Sequence, residues 1–262
     1  MQSPEAERGQ QGTPILVVED LTRTYVKRGV RRPALDGVSF SLERGRTIAV
    51  VGESGAGKST LARLVAGLER PDRGAVRVHG APPRVRSGAA SPVQMVFQHP
   101  VEALNRFVSV GSSIAEPIHG VGKQEKRRRV AELLEQVGLD PGRAGEKPAR
   151  FSGGQLQRIV MARALAAEPE VLLCDEPTSA LDVSVQAQIV NLLLALQQST
   201  RFACLLITHD LGVAQVLADD VLVLLHGKPV ELTPADEFFE QPREEYSRGL
   251  LLATKGQALV RG

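Results

Sequence analysis

At 262 residues the chain is long enough for one substantial hydrophobic core, or for a core with a smaller attached subdomain. Its 42% hydrophobic and 24% charged residues are those of an ordinary soluble globular protein. A formal charge of only +2 and 3% aromatic residues argue against a nucleic-acid binder that relies on a basic face and stacking rings.

In chain order, residues 1–13 read as a disordered lead-in. The first twelve are polar, with no apolar h-region, so no signal peptide is expected. Strands are predicted at 15–18 and 38–42, separated by a Gly/Arg/Pro stretch over 27–33. A buried strand at 47–51 runs into Gly52, Glu53, Ser54, Gly55, Ala56, Gly57, Lys58, Ser59 and Thr60, and the helical periodicity of 61–68 follows. A strand, a Gly-x-x-x-x-Gly-Lys-Ser loop and then a helix is the context a phosphate-binding loop needs. The glycines let several N–H groups converge on one concavity, and the helix behind adds its positive dipole end. Lys58 supplies a cation for the outer phosphates, and the Ser59 hydroxyl can ligate Mg²⁺.

A short strand pair is expected near 75–78, a Pro/Ser/Gly-rich loop over 82–92 and a strand at 93–97. From 99 to 158 helix-favouring residues dominate. The charged run at 123–129 opens an amphipathic segment and reads as a solvated helix face. A helix is predicted at 155–167, opened by Ser152, Gly153, Gly154 and Gln155; Ser152 can cap it, and the glycines leave their N–H groups bare for an anion.

A strand (171–174), helix (185–198), strand (203–208), helix (211–217) and strand (221–225) follow, an alternation that signals a parallel sheet covered by helices. The first of these strands ends in Asp175 and Glu176, where ligands sit in open α/β sheets. In a phosphate-loop protein the first carboxylate holds Mg²⁺ and the second orients or activates water. Residues 229–262 read as a C-terminal appendage with two short helices. No apolar run approaches the roughly 18–20 residues needed to cross a bilayer. Cys174 and Cys204 are a lone pair in apolar stretches and read as small buried strand residues in a reducing compartment.

Taken together, the chain resembles the ATP-binding subunits of ABC transporters. The loop at 52–60 is similar to Walker A, 152–155 to the signature, and Asp175 and Glu176 to Walker B with its catalytic glutamate. Asp182 falls in the D-loop match (179–182), and Thr208, His209 and Asp210 match the switch histidine. Gln98 stands where the Q-loop glutamine belongs, and Tyr25 matches the aromatic position that stacks on adenine. Finer detail over 174–188, 152–158 and 245–251 resembles the dipeptide/oligopeptide/nickel importer branch. His99 and Arg106 depart from that branch, and the segment between Gly80 and Val93 is shorter.

The resemblance implies an α/β fold: a phosphate-loop (RecA-like) parallel-sheet core with an antiparallel β part and an inserted helical subdomain at about 99–158, within an ATPase domain of 14–228. It implies hydrolysis of ATP with Mg²⁺. Ser59, Asp175 and Gln98 would attend the metal, Glu176 would act as base, His209 would hold the γ-phosphate and water, and Gln98 would also sense that phosphate and relay it to the membrane domain. Residues 152–155 would act in trans on a nucleotide held by a second, identical or homologous ATPase subunit. The implied partners are that subunit, two membrane permeases and, indirectly, a solute-binding protein, at the cytoplasmic face of the membrane. The competing classes are a non-transport ABC ATPase of translation or DNA repair and a phosphate-loop kinase.

Overall fold

The computed structural model describes residues 13–27, 29–83, 91–179 and 181–260. Nearly all of the expected lead-in, most of the 81–92 segment and Ala180 of the D-loop match lie outside the described residues.

The main sheet has six strands in the order β5-β6-β7-β3-β8-β9. These are β3 (Thr47–Val51), β5 (Val93–Val96), β6 (Val171–Asp175), β7 (Ala203–Ile207), β8 (Asp220–Leu225) and β9 (Lys228–Pro234). All neighbours pair in parallel except β8 and β9, which are antiparallel. The second sheet is antiparallel and three-stranded, ordered β2-β1-β4, from β1 (Leu16–Lys27), β2 (Val30–Leu42) and β4 (Arg73–Val78).

The central strands are apolar on both faces because each face is covered. In β3, Ile48 and Val50 belong to one core, which includes Leu16, Leu21 and Leu35 of the antiparallel sheet and Leu61 and Leu64 of helix α1 (Lys58–Val65). Ala49 and Val51 face the other core. That core is completed by helices α3 (Val110–Ala115), α4 (Lys123–Gln136), α5 (Gly153–Leu165), α6 (Val183–Thr200), α7 (Leu211–Leu217), α8 (Ala235–Glu240) and α9 (Glu245–Val260). A one-turn helix α2 (Pro100–Ala103) and two 3-10 turns, at Pro141–Gly145 and Pro148–Arg150, complete the segment between β5 and α5. Cys174 and Cys204 are buried, free thiols in adjacent strands, and the hydrogen bond to Cys204, with burial, pushes the Cys174 thiol well up.

Three expectations change. The break placed at 27–33 is only a hairpin tip, since β1 and β2 stay paired out to Lys27 and Val30. Pro33 is tolerated within β2 because that strand is the edge of its sheet and needs no donor on its outer side. Near 75–78 there is a single strand, β4, which pairs with β1. Finally, residues 229–234, expected to begin an appendage, are β9, the edge strand of the main sheet. Its inward residues are the polar Glu231 and Thr233, while Leu232 points to solvent. The usual hydropathy alternation is inverted, so the pattern conceals a strand.

This topology sets the site. The C-terminal ends of β3, β6 and β7 lie side by side, with Val50 and Asp175 each registered against Ile207. Whatever follows these strands in sequence emerges at one edge of the sheet.

Candidate active site

The phosphate loop leaves β3 at Gly52 and enters α1 at Lys58. Gly52 (φ 147°) and Gly57 (φ 106°) adopt backbone conformations that favour glycine. A Cβ on Gly52 would lie 2.2 Å from the Leu224 carbonyl oxygen, and one on Gly57 would lie 2.3 Å from that of Ala34. Both neighbours are backbone and cannot swing away, so the loop can follow this path only with glycine at both positions. The Gly227 N–H donates to the Ala56 carbonyl (3.0 Å), tying the loop to the β8–β9 turn.

Lys58 is nearly buried, and its ammonium donates to the carbonyls of Gly52 (2.7 Å) and Glu53 (3.0 Å). Desolvation pulls its pKa down, and the charges of Glu176 and Asp175 oppose that fall. Asp175 is pushed up by desolvation and by Glu176, against the pull of Arg63 and Lys58. Opposed charges therefore stand together at the strand ends, with Lys58 and Asp175 both desolvated.

Glu176 is the hub of this set. Its backbone is left-handed (φ 48°), held by its own N–H donating to the Ile207 carbonyl (2.8 Å). Gln98, beyond β5, donates from Nε2 to Glu176 Oε2 at 3.1 Å. His209, beyond β7, places Nδ1 3.2 Å from Glu176 Oε1. A cleft of about 490 Å³ is lined by Tyr25, Ala34, Ser54, Gly55, Gly57, Lys58, Ser59, Thr60, Glu176 and His209. Tyr25 sits at its rim, with its hydroxyl donating to Glu69 (2.6 Å) and the Arg23 guanidinium 5.1 Å from its ring centroid.

Other expected residues lie elsewhere. Ser152 and Gly153 are solvent-exposed at the start of α5 and do not line this cleft. Ser152 and Gln155 form a reciprocal capping box: Ser152 Oγ accepts from the Gln155 N–H, and Gln155 Oε1 accepts from the Ser152 N–H. A Cβ on Gly154 would meet Val185 at 2.4 Å, so this glycine lets α6 pack against the helix start. Asp182 caps α6, accepting from the Val185 N–H at 3.0 Å. Sequence reasoning missed Ala34, whose carbonyl shapes Gly57, and Arg63, which pairs with Glu69 beneath Tyr25. Arg63 carried a signal, as a basic residue one turn beyond Ser59; Ala34 carried none.

Among the described residues no group of three or more His, Cys, Asp or Glu side chains could hold a metal ion alone. The Ser59 hydroxyl and the desolvated Asp175 carboxylate are hard oxygen donors, and they suit a Mg²⁺ ion whose remaining ligands are phosphates and water.

A family model described as ABC transporter matches residues 35–179. That span includes the phosphate loop, Gln98, the capping box and the Asp175–Glu176 pair, and excludes Tyr25 and His209. The di/tripeptide transport ATP-binding protein DppF of Pseudomonas aeruginosa (strain UCBPP-PA14) is 47% identical over 254 residues, covering 92% of this chain and 79% of that protein. The dipeptide transport ATP-binding protein DppF of Escherichia coli (strain K12) is 42% identical over 255 residues, covering 92% and 76%. Among solved structures, a dimeric post-hydrolysis state of the ATP-binding cassette MJ0796 bound to ADP and Pi is similar, with a TM-score of 0.74 and 27% identity. The similarity spans 84% of this chain and 98% of that one. With that family model matching 35–179 and relatives 42% and 47% identical over 92% of its length, the chain belongs to the ABC transporter family.

Proposed function

We propose that the chain is the ATP-binding and ATP-hydrolysing subunit of an importer that takes up dipeptides or oligopeptides. The observation that carries this reading is the meeting of Lys58, Glu176, Gln98 and His209 at one sheet edge, around a phosphate-shaped loop. The names of the similar DppF proteins favour peptides over a nickel-type cargo.

The chemistry follows from the residues. The loop amides and the α1 N-terminus take the phosphates of ATP, and Lys58 exchanges its two carbonyl partners for phosphate oxygens. Tyr25 offers its ring to the adenine. Ser59, Asp175 and Gln98 would hold Mg²⁺, which neutralises phosphate charge when bound. Glu176 takes the proton of the water whose oxygen attacks the γ-phosphorus, as the bond to the ADP oxygen breaks. His209, already against Glu176, keeps that carboxylate and the water aligned, and Gln98 links the site to the segment that follows β5. A second ATPase subunit supplies its own Ser152, Gly153, Gly154, Gln155 and Asp182 across the nucleotide.

Lys58→Ala tests the loop. It deletes a desolvated cation facing phosphate, and charged hydrogen bonds are each worth about 1.5–3 kcal/mol, so ATP affinity should fall about tenfold or more. Titration with a fluorescent ATP analogue reads this out, and unchanged affinity would remove the nucleotide from this loop.

No described helix is long and apolar enough to cross a membrane. Phe97 (42%), Val101 (65%) and Phe107 (70%) are exposed in the segment that contains Gln98 and His99, apolar side chains that permease subunits would cover. Expressed alone the chain should remain in the supernatant, and with its permeases it should sediment with membranes. If it stays soluble in its host with the permeases present, the non-transport ABC reading prevails.

A further inference from the structure

The Gly52–Glu53 peptide unit is gripped from both sides. Its carbonyl oxygen accepts from the Lys58 ammonium at 2.7 Å. Its N–H donates at 3.3 Å to the hydroxyl of Tyr246, on α9, 193 residues further along the chain. A trans peptide points these two groups in opposite directions, so the lysine holds it from the cleft and the tyrosine from outside. Gly52 has no side chain to hold the plane, and Glu53 is exposed. The two bonds are thus the polar contacts that fix which way this peptide faces.

The tyrosine is itself firmly mounted. Just before α9, the backbone N–H groups of Arg243 (3.0 Å) and Glu244 (3.3 Å) donate to the carboxylate of Glu231 in β9, which is only 7% exposed. Burial alone would raise the Glu231 carboxyl, but the Ser247 hydroxyl and these two N–H groups together hold it below the usual carboxylate range. Tyr246 is half-buried against the helical core, and Leu251 of the same helix is buried within it. A hydroxyl on such a mount has a fixed place relative to the main sheet.

We propose that Tyr246 is a positioning residue for the phosphate loop, through which the C-terminal segment sets the affinity of the site for ATP. When Lys58 turns to phosphate, the Gly52 carbonyl loses its cation, and the Tyr246 hydroxyl is what keeps the peptide from rotating. Without it, the loop must be reordered each time nucleotide binds, and that cost is taken from ATP affinity. The inference rests on the nucleotide-site reading above.

The test is Tyr246→Phe in the full chain, which removes one oxygen and keeps the ring. The Kd for a fluorescent ATP analogue and the KM for ATP should both rise about fivefold, the worth of one ordinary hydrogen bond, with kcat little changed. The thermal midpoint without nucleotide should hold, because the ring still packs. In a Lys58→Ala background, where the Tyr246 hydroxyl is the remaining anchor of this peptide, the same change should raise Kd at least as much again. Wild-type KM in Tyr246→Phe, or no further effect in the Lys58→Ala background, would overturn the proposal and leave the ATP site intact. Failure of the unaltered chain to bind ATP would overturn both readings.

Discussion

Glu176→Gln is expected to bind MgATP at least as tightly as the unaltered chain, to dimerise with ATP, and to lose turnover by about 10²-fold or more, the usual worth of a positioned base. The backbone at this residue is left-handed, yet its hydrogen bonds run through main-chain atoms: the N–H to Ile207, and the carbonyl accepting from the Ser179 N–H at 3.3 Å. Those survive the change. A glutamine oxygen can also still accept from Gln98. What disappears is one negative charge beside Lys58 and the ability to take a proton from water. The first loss favours bound phosphate, and the second removes the chemistry. Filter binding and phosphate release, measured on one preparation, separate the two. Turnover near that of the unaltered chain would assign the base elsewhere.

Legibility in the sequence followed the strength of steric and periodic constraints. The phosphate loop is legible because Gly52 and Gly57 stand where any Cβ would strike a backbone oxygen. The core strands are legible because both faces of the main sheet are covered, so 47–51, 171–174 and 203–207 read as unbroken apolar runs. Helix α7 lies over 211–217 as expected, and α5 and α6 begin two residues earlier than periodicity alone places them. In both, the cap decides: Ser152 and Asp182 each satisfy a first-turn amide, and that outweighs the weaker apolar signal there.

What stayed hidden depends on tertiary contact. Strand β9 turns Glu231 and Thr233 inward because the carboxylate meets the backbone leading into α9, a partner twelve and thirteen residues away that no local pattern contains. Tyr246 reads as part of a family-like ending, whereas its bond to Glu53 spans 193 positions. The meeting of Gln98 and His209 on the two oxygens of Glu176 likewise needs the strand order β5-β6-β7 before it can be seen.

Ser152→Arg is expected to abolish ATP-driven closure of two subunits while leaving ATP binding to the single chain within about twofold, because the residue is remote from the Lys58 cleft. The start of α5 is exposed, its capping box occupies the Ser152 and Gln155 amides, and the N–H groups of Gly153 and Gly154 remain for an outside anion at a positive helix end. An arginine there sets a long cation where a second subunit's nucleotide must approach. It also deletes the cap, at about 1 kcal/mol, so Ser152→Thr, which can retain the cap, is the control for stability. Size-exclusion with ATP in the Glu176→Gln background reads closure directly. Mixing Ser152→Arg with Lys58→Ala adds the decisive arm. Each alone lacks a working half, but a mixed pair joins an intact loop from one chain to an intact α5 start from the other, so part of the hydrolysis should return. Wild-type closure by Ser152→Arg would sink the trans role. Normal binding and failed closure without recovery on mixing would instead mean that the partner across the nucleotide is a different chain.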